Sequence, residues 1–198
     1  MLVDGISVGA IGLFLAGAVV SGDALAGRAH EHGAGRLDVA VDARTLTVTL
    51  ETPLENLVGF ERAPRTAEET QRVEKALATL RQGGQWLVPD PAAGCTVAAV
   101  EIESAALGLP PGGKPAAAPG GKPAAAPGVK PAASSSEHAD LLARVDFRCA
   151  DAGRAAQLEV GLFRAFPRLK RLDVQLATAK GQSRATLKPA VPRLTLAR

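Results

Sequence analysis

Histidine is scarce in this 198-residue chain, which has three: His30, His32 and His138. Two of them flank Glu31 in the run Ala-His-Glu-His-Gly, and in an extended chain alternate side chains project to one side, so His30 and His32 share a face. The third stands in Ser-Glu-His-Ala-Asp. Neutral imidazole and carboxylate are the borderline ligands that zinc takes. The spacing alone is equally compatible with a polar N-terminal segment and a surface histidine at the start of a strand.

Other chemistries find less support. Covalent hydrolysis needs a nucleophile within reach of an oriented histidine, yet the chain has no Gly-x-Ser-x-Gly elbow, Walker loop or His-Glu-x-x-His helix. Glu51, Glu55 and Glu61 are carboxylates that the sequence does not single out from a solvated face. The expectation is a protein that is not an enzyme. Cys95 and Cys149 are the only cysteines, and an even pair in an exported chain reads as a disulfide, leaving no free thiol.

The elements that must position these residues follow from periodicity. Leu37, Val39 and Val41 alternate with polar or small residues, as do Leu46, Val48 and Leu50 with threonines, which predicts two half-buried strands joined by a short connection into an antiparallel hairpin. After Pro53 the stretch Leu54 to Phe60 is apolar without clear period. Thr66 and Glu69 form a capping box, and Val73, Ala76, Leu77 and Leu80 make one apolar stripe of a helix ended by Gly83-Gly84. Further strand patterns occupy Trp86 to Val88, Cys95 to Ile102, Leu141 to Cys149, Leu172 to Leu176 and Ala185 to Leu187, with a short helix or turn at Phe163 to Pro167. The fold class is α+β, mainly antiparallel sheet with one or two helices.

Composition adds the boundaries. Residues 11–20 are apolar or small and Ala24-Leu25-Ala26 suits a signal peptidase, so 1–26 reads as a signal peptide and 27–198 as a single exported domain. No segment reaches the roughly 20 apolar residues of a membrane span. An eight-residue unit, Gly-Gly-Lys-Pro-Ala-Ala-Ala-Pro, recurs inside a low-complexity insertion over 110–136, where closely spaced prolines forbid strand ladders and helix. The insertion is expected as an overlong hairpin loop between two adjacent strands, with the cysteines bridging it. With a net charge of +3 and only one Trp, five Phe and no Tyr, the chain offers few stacking surfaces, and nucleic acid is not an expected partner. The charge is uneven: residues 27–109 are net acidic and 141–198 net basic, which fits complementary parts of one fold.

Several of these blocks together resemble a known family. Ala29-His30-Glu31-His32-Gly33 with Arg36-Leu37-Asp38-Val39-Ala40, Glu51 to Glu61 with its Pro-Leu-x-Asn-Leu-x-Gly-Phe-Glu core, Phe163-Arg164-Ala165-Phe166-Pro167, and His138-Ala139-Asp140-Leu141 running into Phe147-Arg148-Cys149 are similar to the ZrgA-type zinc-regulated periplasmic proteins. The resemblance implies a periplasmic zinc-binding accessory protein that assists a zinc importer of the ABC class, with that importer's periplasmic binding protein as a partner. It implies His30, His32 and His138 as metal ligands, with Glu31 and Asp140 as nearby carboxylates. One site built from them requires the N-terminus to fold back to the base of the insertion. The Gly-Lys-Pro-Ala repeat stands where relatives carry a histidine-rich run, so buffering by that loop is not expected here. The alternative expectation is an envelope interaction module that acts without metal through its basic C-terminal half.

Overall fold

A computed structural model describes residues 31–111 and 139–196, so the expected signal segment, His30, His138 and the repeat from residue 112 onward lie outside the described residues. The predicted hairpin is present. Strand β1 (Ala34–Asp42) buries Leu37 and Val39, and β2 (Thr45–Pro53) buries Leu46, Val48 and Leu50, while Arg36, Asp38, Thr47 and Thr49 fall on the opposite face. Their antiparallel register runs from Asp42 opposite Thr45 to Arg36 opposite Glu51.

A five-residue turn of helix, α1 (Leu54–Val58), follows Pro53, and the long helix α2 (Ala67–Arg81) follows its capping box, with Thr66 Oγ1 accepting the Glu69 N–H at 3.2 Å. The stripe Val73, Ala76, Leu77 and Leu80 is buried as expected. Gly83-Gly84 does not open a loop, however; it begins another helical turn, α3 (Gly83–Trp86). Glycine is needed at 83 for space, since a Cβ there would stand 2.8 Å from Val145 Cγ1. Trp86, expected in a strand, instead closes α3 and donates its indole N–H to the Leu80 carbonyl at 3.0 Å.

The remaining elements are β3 (Leu87–Pro89), β4 (Cys95–Glu103), β5 (Asp140–Cys149), β6 (Gln157–Val160), α4 (Leu162–Ala165), β7 (Arg171–Thr178), β8 (Gly181–Leu187) and β9 (Arg193–Thr195). They form a six-stranded sheet, β4-β5-β2-β1-β7-β8, and a three-stranded sheet, β3-β6-β9. Every pairing is antiparallel except β1 with β7. Among the described residues the architecture is therefore α+β and mainly antiparallel as expected, but with one long helix and three of four or five residues. One apolar cluster joins α2 and both sheets, including Leu37 and Val174 of the large sheet, Leu158 and Leu194 of the small one, and Leu80.

Strands β4 and β5 are adjacent and antiparallel, so the insertion does leave from one strand and return to its neighbour. Cys95 and Cys149 face each other at the far end of that ladder and form a disulfide, with Cα atoms 3.9 Å apart. The acidic and basic parts of the sequence meet where Arg171 pairs with Glu31, 140 residues away. Among the described residues no helix is long and apolar enough to cross a membrane.

Candidate metal centre

The β1–β2 hairpin carries its two ends to one place. Its register places Arg36 opposite Glu51, and continued four residues further it brings His32 opposite Glu55. On one side Gly33 turns the chain into β1 with φ +81°, a left-handed conformation that glycine adopts freely and other residues rarely do. Its carbonyl accepts from the N–H groups of Lys170 (2.7 Å) and Arg171 (2.9 Å), so the residue next to His32 is anchored to the start of β7. On the other side Pro53 leads directly into α1, which places Glu55 in its first turn, and Gly59 ends that turn with its N–H returned to the Glu55 carbonyl at 2.9 Å.

Glu61 is positioned by the start of α2. Phe60 and Arg62, its neighbours, are both held: the Phe60 ring lies 5.1 Å from the Arg62 guanidinium carbon and 5.7 Å from that of Arg72. Arg62 in turn grips both carboxylate oxygens of Glu69, at 2.7 and 2.8 Å, and the Arg65 N–H donates to Glu69 at 2.6 Å. The capping box that starts the helix thus also fixes the loop that carries Glu61.

These hydrogen bonds, from Arg62 first and the Arg65 N–H second, hold the Glu69 carboxyl down to about 2 from an ordinary 4.5. A depressed folded-state value means that the ionised form adds stability above the unfolded value, and that this stability disappears as pH falls from about 4.5 toward about 2. Thermal melts between pH 2 and 7 should therefore show a falling melting temperature across that window, and Glu69→Gln should both lower the neutral-pH value and flatten the acid limb. An unchanged acid limb in Glu69→Gln would show that other carboxylates set it.

The result is a group of three: His32, Glu55 and Glu61 present ligand atoms that all lie within 4.8 Å of one another. His32 Nδ1 is in direct contact with a Glu55 carboxylate oxygen. Ligand atoms around a tetrahedral zinc ion stand about 3.3 Å apart, given bonds near 2.0–2.1 Å. Seating an ion would part the His32–Glu55 contact and bring the three ligand atoms to that common spacing. One imidazole and two carboxylates suit a borderline divalent cation and match its charge, and a fourth position is left for water. The His32 side chain is 71% exposed, so an ion reaches it directly from solvent. Arg168 and Lys170 line the same shallow pocket as His32 and Glu55, and their positive charge opposes a bound cation.

Among the described residues, His32 is the one implied ligand that belongs to this group. Glu31 is turned to the Arg171 guanidinium in a two-pronged pair at 2.8 and 3.2 Å. Asp140 begins β5 and lines an open cleft with Glu51, Glu61 and Glu103. His30 and His138 lie outside the described residues. Ala139 accepts the Leu54 N–H at 2.8 Å, so the start of the described segment after the insertion lies beside the turn that carries Glu55. Glu55 and Glu61 are the residues that sequence reasoning passed over. The signal for Glu55 was the hairpin register extended past its strands; for Glu61 it was only membership in the Pro-Leu-x-Asn-Leu-x-Gly-Phe-Glu block.

The fold and this group together define a β-rich protein that carries, at one end of its main sheet, a shallow histidine–carboxylate group that could hold a metal ion. The family model described as ZrgA family zinc uptake protein matches residues 29–196, and the chain belongs to that family. No curated protein matches the chain.

Proposed function

We propose that the protein binds one zinc ion through His32, Glu55 and Glu61 and, as a periplasmic accessory protein, captures zinc for an ABC-class uptake system. The observation that carries this reading is the convergence of the three ligand atoms at the open end of the β1–β2 hairpin. The family's description as a zinc uptake protein supports the choice of ion.

An exposed site of three protein ligands suits capture and transfer better than storage. The open fourth position can be taken by water while the ion is carried and by an incoming ligand when it is passed on, so exchange needs no unfolding. The ion displaces the direct His32–Glu55 contact, and it is the neutral imidazole that ligates.

Titration calorimetry of zinc into the protein from residue 27 onward tests the reading. The expected result is one ion per chain with a dissociation constant of the order of micromolar. Binding no tighter than about 100 µM would overturn it, since that free energy is below about 6 kcal/mol and too small to retain a scarce ion.

A further inference from the structure

We propose that Asn56 is a positioning residue of this metal centre, tying the backbone that follows His32 to the helical turn that carries Glu55; the inference rests on the zinc reading above. Asn56 is next in sequence to Glu55 and only 2% exposed. Its Oδ1 accepts the Gly33 N–H at 2.7 Å, and its Nδ2 donates to the Ala34 carbonyl at 2.8 Å and to Thr52 Oγ1 at 3.0 Å. An amide N–H and a carbonyl on neighbouring residues are what a paired strand would satisfy, and the β1–β2 register stops at Arg36 and Glu51. The carboxamide therefore supplies the missing rungs beyond the end of the ladder. Without it, among the described residues the hydrogen bonds from α1 to residues 33 and 34 are lost, and His32 is joined to the fold through its own contact with Glu55, the Gly33 carbonyl and the exposed Arg171–Glu31 pair.

Partners that orient metal ligands typically contribute about 10–100-fold in affinity, which sets the expected effect. The test compares zinc affinity by calorimetry, apo melting temperature, and the visible absorption of bound cobalt(II) in the wild-type protein and in Asn56→Ala, Asn56→Asp and Thr52→Val. Asn56→Ala should fold with its disulfide intact, weaken zinc about 10–100-fold and alter the cobalt spectrum. Asn56→Asp keeps an acceptor for Gly33 but has no donor for Ala34, and its affinity should fall between wild type and alanine. Thr52→Val removes one bond to Asn56 without touching residues 33 or 34. It should lower the melting temperature yet leave zinc affinity within about twofold, which separates positioning from general stability.

A folded Asn56→Ala that binds zinc within about twofold of wild type overturns the proposal; where the alanine variant does not fold, the same result for Asn56→Asp does so. These outcomes differ from failure of the zinc reading itself. Wild-type protein that binds no zinc, or binds it equally well after His32→Ala, overturns both.

Discussion

Reducing the Cys95–Cys149 disulfide is expected to lower the melting temperature by about 10–15 °C while leaving zinc affinity within about twofold. The two cysteines are 54 residues apart in sequence, and closing a loop of that length removes about 4 kcal/mol of chain entropy from the unfolded state. In a folded unit of this size each kcal/mol moves the midpoint by about 3–4 °C. Locally, the bond closes a strand pair that needs closing. Among the described residues β4 is an edge strand whose one ladder partner is β5, and the direct chain connection between the two passes through the long insertion at the opposite end. The Cys149 N–H is given to the Arg44 carbonyl at 2.9 Å, so the pair facing Cys95 is a non-hydrogen-bonded one, the type that brings side chains close. The affinity half of the expectation comes from distance. Cys149 ends β5 while Asp140 begins it beside Pro53, and a ten-residue strand separates the disulfide from the candidate centre by about 30 Å. Scanning calorimetry with and without reductant measures the first effect and zinc titration of the reduced protein the second. A midpoint shift below about 3 °C would mean that packing against α2, not the crosslink, holds the edge strand.

His32→Ala should weaken zinc by about 100-fold or more, beyond what losing a supporting residue costs. The imidazole is the sole nitrogen ligand in the group, and without it two carboxylates in a shallow pocket beside Arg168 and Lys170 remain. Glu55→Gln and Glu61→Gln should each cost a similar amount while preserving shape, because each removes one of the two negative charges that match the ion. The informative control is Glu31→Gln. If the ligands were those the N-terminal motif implies, this substitution would weaken zinc as much as the others; because Glu31 is committed to Arg171, zinc affinity should hold within about twofold. Loss at Glu31 with none at Glu55 and Glu61 would move the site back to the N-terminal run.

The comparison of Glu31 with Glu55 shows where sequence reading reaches its limit. The hairpin, the capping box of α2 and the cysteine pair across the insertion depend on local periodicity or on counting, and all were legible. Strands β6 and β9 are four and three residues long, too short for alternation to appear. Gly83-Gly84 looked like a stop because only the approach of Val145, from a strand more than 60 residues later, demands glycine there. The site divides in the same way. His32 was visible as a residue type. Glu55 became a partner only through an exact pairing register, and Glu31 ceased to be one because Arg171 arrives from the far end of the sequence. Tertiary charge pairing of that kind leaves no trace in spacing.

The placement of β1 also governs when the centre can form. Its first neighbour, β2, is made at once, so His32 and Glu55 approach each other as soon as the hairpin closes. Its second neighbour is β7, and the Gly33 turn is anchored by Lys170 and Arg171. The ordered centre therefore depends on a strand that lies more than 130 residues later in the chain as well as on the adjacent hairpin. Such distant pairing is slow to find, and until it does the protein has the residues for a metal but not yet the geometry.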